Sequence, residues 1–223
     1  MVMRPQARPA AAAELALLRQ ALTALHPVGD DDWALLAPLA TAASFARGSA
    51  LLRPGDPART VFFVLDGLLR EFFADDQGRT STRRFARAGD FSGSLADLLS
   101  GRPALSAIEA VEDTEVLQVP WARFEDLAQR RPAFERAARR MTERLYLQKT
   151  LREHEMLTQR ADERYRRFRE AHPDLEARVS QHHVASYLGI TPVHLSRLRA
   201  AARSAPPAAA PPRRTRRARR QRA

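Results

Sequence analysis

Between Val179 and Ala200 the chain reads VSQHHVASYLGITPVHLSRLRA, and this stretch gathers the side chains best suited to bind a polyanion and read it. Ser180, Thr191 and Ser196 bring hydroxyls, His182 and His194 imidazoles, and Arg197 and Arg199 guanidinium groups. An arginine can donate two hydrogen bonds to the edge of a guanine, a serine can bond a base edge or a phosphate, and a valine such as Val193 can pack on a thymine methyl. The chemistry on offer is recognition rather than bond-making. The chain carries neither a phosphate-cradling glycine loop nor a nucleophile elbow, so no catalysis is expected. Histidine does not occur between His26 and His154, so the middle of the chain cannot supply a histidine-based metal site. His182 and His183 are adjacent and face different ways on a helix, which reads as surface or phosphate-contacting rather than as a metal pair, and His154 reads as solvated or interfacial. Neither a metal nor another cofactor is expected.

Two helices are needed to present those side chains. Ser180 can cap the first, in which Val184 and Leu188 form an apolar stripe and Ala185 lets a second helix cross closely. Gly189 supplies the left-handed turn, and Ile190 beyond it can plug the wedge between the helices. Thr191 followed by Pro192 signals a new start, a hydroxyl cap and then a proline where its missing N–H costs nothing. On this second helix Leu195, Leu198 and Ala202 fall inward, which leaves Val193, Ser196, Arg197 and Ala200 outward and His194 and Arg199 at the flanks. An ordinary helical hairpin with a solvated basic face has the same pattern; the glycine turn and the Thr-Pro start favour the reader.

Upstream, Leu15, Leu18, Leu22 and Leu25 mark an amphipathic helix over 11–25, and Asp30-Asp31-Asp32 opens another with Trp33, Leu36 and Leu39 inward. Seven of the nine glycines lie between Gly48 and Gly101, with Gly67, Gly78 and Gly89 eleven residues apart around segments such as Val61 to Leu65. That rhythm predicts short antiparallel strands over about 44–119, a β-roll of jelly-roll type. A helix with Trp121, Phe124 and Leu127 follows. Then comes a long one over about 133–160 carrying Phe134, Ala137, Met141, Leu145 and Leu151 amid dense charge. So narrow an apolar seam on a rod roughly 40 Å long predicts pairing with a second copy. Tyr165 and Phe168 are expected to support the hairpin from below.

The fold class expected is therefore α+β. Its parts are a loose arm over 1–10, a sensory β-roll with N-terminal helices over 11–132, a dimerisation helix over 133–160, a helix-turn-helix over 161–202, and a disordered tail over 203–223. The formal net charge is +11 over 223 residues, but seven arginines lie in 213–222, and without them the body is only about +4. Basicity is thus mainly a property of the tail, which could add sequence-independent phosphate contacts. The chain has no cysteine, which excludes disulfides, thiolate zinc sites and cysteine-held iron–sulfur clusters. No apolar run reaches the roughly 18 residues that a spanning helix needs, and the alanine-rich start lacks a secretory pattern, so a cytoplasmic protein is expected.

The words Ala185-Ser-Tyr-Leu-Gly-Ile-Thr-Pro192 and Leu195-Ser-Arg-Leu198, with Asp162 to Tyr165 and the glycine-punctuated stretch 44–120, resemble the CRP/FNR superfamily of bacterial transcription regulators. They look like the branch whose sensory domain has no assigned effector. The resemblance covers about 12–200. It implies a homodimer on double-stranded DNA, with RNA polymerase a further partner and a small-molecule effector of unknown identity. It also implies that Ser180, His182, Thr191, Val193, His194, Ser196, Arg197 and Arg199 face the DNA. Relatives often continue into a β-wing after the second helix; here the Ala/Pro and arginine segment predicts none. Members that bind cyclic AMP hold its phosphate with an Arg-Ser or Arg-Thr pair and its ribose with a glutamate after a glycine. The matching places here are Gly93-Ser94-Leu95 and Leu105-Ser106, so the carboxylate has become Ser94 and the arginine Leu105. Arg102 is near in sequence and could stand in, although a solvated turn residue is the plainer reading. A response to cyclic AMP is accordingly not expected. The competing reading is a ligand-sensing or protein-interaction scaffold that touches nucleic acid only through its tail.

Overall fold

In the segment Val61 to Leu65 consecutive residues are apolar, which on a strand sends bulky side chains to both faces and requires both to be covered. A computed structural model, which describes residues 7–204, supplies that cover. Strands β1 (Arg8–Pro9), β2 (Thr41–Phe45), β3 (Ala50–Leu52), β4 (Thr60–Asp66), β5 (Leu68–Ala74), β6 (Thr80–Arg87), β7 (Phe91–Ser92), β8 (Ser106–Ala110) and β9 (Thr114–Pro120) make two antiparallel sheets. Their orders are β1-β2-β9-β4-β7 and β3-β8-β5-β6. The sheets face each other across Phe45, Phe62, Val64 and Val116 on one side and Leu69, Ala86, Ile108 and Ala110 on the other. This is the roll expected from the glycine spacing, open at its edges rather than closed into a barrel.

The outer face of each sheet is covered by helices. Phe63, Leu117 and Val119 turn away from the roll and pack under Leu18 and Leu22 of α1 (Ala12–Thr23), Leu36 of α2 (Asp30–Leu36), α4 (Trp121–Arg130) and Phe134 of α5 (Pro132–Thr158). The intervening α3 (Leu95–Ser100) lies between β7 and β8. Arg8–Pro9, expected as part of a loose arm, instead pairs with Thr41–Ala42, and Arg8 is held by Glu14 at the start of α1. That pairing depends on a partner strand 32 residues away at its nearest, which local composition cannot reveal. The arginine-rich tail and any wing lie outside the described residues.

On the second sheet Leu68, Phe85 and Val111 point away from the roll and join one core with Tyr165 and Phe168 of α6 (Ala161–Ala171), Leu175 of α7 (Leu175–Arg178), Val184 and Leu188 of α8 (Gln181–Leu188), and Leu195 of α9 (Pro192–Ser204). The hairpin thus packs on the outer face of this sheet.

Two glycines with left-handed backbone separate steric need from conformational need. A Cβ on Gly67 (φ 91°) would meet Asp113 O at 2.5 Å and Thr114 Cα at 2.7 Å, whereas one on Gly78 (φ 76°) would meet nothing within 4 Å. Gly67→Ala should cost about 2–4 kcal/mol and Gly78→Ala only about 1–2 kcal/mol in urea unfolding, the difference being overpacking against backbone. Equal losses would contradict this assignment.

Candidate nucleic-acid interface

The hairpin forms as its residue types dictate. Ser180 Oγ accepts from the His183 backbone N–H at 3.2 Å at the start of α8, and Thr191 Oγ1 accepts from the His194 N–H at 3.2 Å at the start of α9. Gly189 ends α8 with φ 66°, and the Ile190 N–H reaches back to Ala185 O at 3.0 Å. Leu195 is fully buried, Leu198 packs partly against the same core, and Val193 on the other side is 63% exposed. Ser180, His182, Thr191, Val193, His194, Ser196 and Arg197 are all exposed. Arg197 has no hydrogen bond or ion pair among the described residues, so its five donors are open to a ligand.

Two expected positions differ. Arg199 is half-buried and lies 3.7 Å from Glu176 Oε1, so part of its charge is already used inside the domain. Ala202, expected inward, is exposed, because α9 runs past the edge of the core at its last turn.

The long helix divides the apolar seam expected to pair with a second copy, because Phe134 of that seam goes to the core of its own roll instead. Phe134 and Ala137 are buried against the roll and Met141 and Leu145 are half-buried. Beyond them Tyr146, Leu147, Leu151 and Leu157 are 60–78% exposed. One arginine of this rod and one of α6 bond the last carbonyls of α8, where the helix carries its partial negative charge. Arg152 stacks over the Tyr187 ring at 3.7 Å and donates to Tyr187 O, and Arg164 donates to Leu188 O at 3.1 Å. A side chain on Gly189 would run into Met156 of the same rod.

Residues that the sequence reading passed over bind α8 to the sheet. Ser186 Oγ donates to Thr80 O at 2.8 Å and accepts from the Thr82 N–H at 2.9 Å. Arg178 bonds Gly67 O at 3.2 Å, Asp174 at 3.0 Å and the Glu112 carboxylate. Serine at helical spacing on a polar face gives no hint of such partners about 105 positions away.

The place where the nucleotide contacts of relatives would lie is closed from within. Gly93 and Leu95 flank Ser94, which is buried and donates to the Asp97 carboxylate; Ser106, also buried, donates to Ser94 Oγ at 2.8 Å. The Leu105 N–H reaches the same Asp97 oxygen at 3.0 Å, while its side chain is 69% exposed. Arg102 lies exposed in the turn and brings no cation to the cluster. The chain's own carboxylate thus holds hydroxyl and amide donors of the kind that an anionic ligand would need. Asp97→Ala should cost roughly 2–4 kcal/mol in urea unfolding, because buried donors are left unpaired, and Asp97→Asn less. Loss below about 0.5 kcal/mol for the alanine variant would contradict the role given to this carboxylate.

Comparison with known proteins follows the same division. Residues 42–131 match the cyclic nucleotide-binding domain. The transcriptional activator protein anr of Pseudomonas aeruginosa is 31% identical over 98 residues, 44% of this chain and 39% of anr. The cAMP-activated global transcriptional regulator CRP of Salmonella typhimurium is 26% identical over 84 residues, 38% of this chain and 40% of CRP. A lysophospholipase, NTE1 of Kluyveromyces lactis, is 33% identical over 85 residues, only 6% of its own length. The chain thus spans at most about two fifths of these relatives. The solved structure of FixK2 from Bradyrhizobium japonicum superimposes with a TM-score of 0.67 over 74% of this chain and 85% of that one, at 24% identity. The chain is a cyclic nucleotide-binding domain joined through a long helix to a helix-turn-helix. FixK2 shares that fold over most of its length.

Proposed function

We propose that the chain is a dimeric, sequence-specific DNA-binding regulator of transcription of CRP/FNR type that does not answer to cyclic AMP. The observation that carries this reading is the division of α9 into a buried side, Leu195, and an open side, Val193, Ser196 and Arg197. A helix so divided can lie in a major groove with its leucine still in the protein, and Arg197 is then the side chain equipped to read a guanine. Ser180, His182, Thr191 and His194 surround it as phosphate contacts, which set register without reading sequence. Arg199 belongs to this set with only part of its charge free.

The exposed seam of α5 supports the dimer. Leucines and a tyrosine exposed along a charged rod are stabilised by a second copy of the same rod, with Phe134 and Ala137 anchoring each rod to its own roll. Leu151→Glu should shift sedimentation from dimer to monomer at micromolar concentration; an unchanged dimer would reject α5 as the seam.

The closed cluster of Ser94, Ser106 and Asp97 supports insensitivity to cyclic AMP. A phosphate there would meet a carboxylate and no cation, at a cost of several kcal/mol. Millimolar cyclic AMP should leave the melting temperature unchanged, and saturable stabilisation would overturn this part of the reading. RNA polymerase as a partner, the cytoplasm as location and a role without catalysis go with the same proposal. The named regulators among the relatives favour it. Arg197→Ala should lose about 1–3 kcal/mol on the preferred sequence, with the loss concentrated at particular base pairs. A uniform loss across sequences would favour contact through the backbone or the tail instead.

A further inference from the structure

The seam between the hairpin and the second sheet encloses two imidazoles. His183, on α8, is half-buried with its Nε2 3.8 Å from Glu109 Oε1 of β8, and it faces Arg70 of β5, Arg47 of the β2–β3 turn and His182 of its own helix. His172, after α6, lies against the rings of Phe168 and Tyr187 at 5.5 and 6.3 Å. It faces Arg87 of β6, Arg152 of α5, Asp90 of the β6–β7 turn and Asp174. The Nδ1 atoms of both histidines are buried and have no hydrogen-bond partner among the described residues.

The carboxylates within reach are already engaged. Glu109 pairs with Arg70 at 2.8 Å, and Arg70 is almost fully buried and further held by Thr82 and Thr80. Asp174 pairs with Arg178 at 3.0 Å and Arg87 at 3.6 Å, and Asp90 accepts from the Arg87 N–H at 2.9 Å. A proton on either imidazole therefore adds a cation where the nearby anions are already paired, in a half-buried place beside arginines.

We infer that this seam is an acid-sensitive latch, in which protonation of His172 and His183 releases the helix-turn-helix unit from the sensory sheet. Burial first, and then the adjacent arginines, hold both imidazoles below their ordinary value. At neutral pH both are uncharged whether the seam is closed or open, and the closed form carries no penalty. As pH falls through about 6.5 the open form takes up protons that the closed form resists, so the closed form is progressively disfavoured. The latch does not depend on what α9 binds.

The Thr82 N–H, which points out of the edge strand β6 to Ser186 Oγ, reports on closure directly. Hydrogen exchange of the 80–87 segment, corrected for the intrinsic rate, would be compared at pH about 7.5 and about 5.5 on the full-length chain. Protection should fall at the lower pH by up to about tenfold for each histidine, since an open imidazole gains that factor one unit below its ordinary pKa. The inner strand β9 should keep its protection. The double variant His172→Gln, His183→Gln should be as protected as the unaltered chain at the higher pH and lose most of the fall. Equal protection of the unaltered chain at both values would overturn the latch. So would a parallel loss in β9, which would mean general unfolding, and so would an undiminished fall in the double variant.

Discussion

The burial of Leu195 is the constraint on which the arrangement rests. An α-helix turns through about 100° per residue, so a leucine fixed in the interior determines where Ser196 and Arg197 must point. Leu195 is held by a core that includes Leu68 and Phe85 of the sheet as well as Val184 and Leu188 of the neighbouring helix. The orientation of the open side of α9 is therefore a property of the roll as much as of the hairpin. The same contacts explain why β5 and β6 carry apolar residues on both faces: one set fills the roll and the other receives the helices.

Most of this was legible in the chain because it follows from local rules. Gly189 before Ile190 and Thr191 before Pro192 punctuate the hairpin, and the caps of Ser180 and Thr191 form as those residue types demand. The evenly spaced glycines mark turns of the roll, and the apolar seam of α5 stands out from its charge. Long-range partnerships were not legible. Ser186 bonds to Thr80 and Thr82, and Arg178 to Glu112, are each made across more than 60 positions, and a serine or arginine on a helix surface carries no mark of its distant partner. The short strand at Arg8–Pro9 escaped for the same reason. Asp97 escaped for another: loss of the expected glutamate and arginine was visible at Ser94 and Leu105, but that a carboxylate three residues on would occupy the vacated donors is a consequence of the α3 backbone path.

Two kinds of polar chemistry thus divide the molecule. Inside the roll, Ser94, Ser106 and Asp97 satisfy one another and make the cluster self-contained. At the seam, polar groups are satisfied only while the hairpin is docked, with Ser186 and Arg178 giving up those partners if it leaves.

The role proposed for α9 is to read a duplex as one of a twofold pair. Selection of bound sequences from a random pool of duplexes tests this most directly. It should return a palindromic site whose half-sites lie one helical turn, about 34 Å, apart. A pool left without enrichment, or enriched only for a single unpaired half-site, would contradict it.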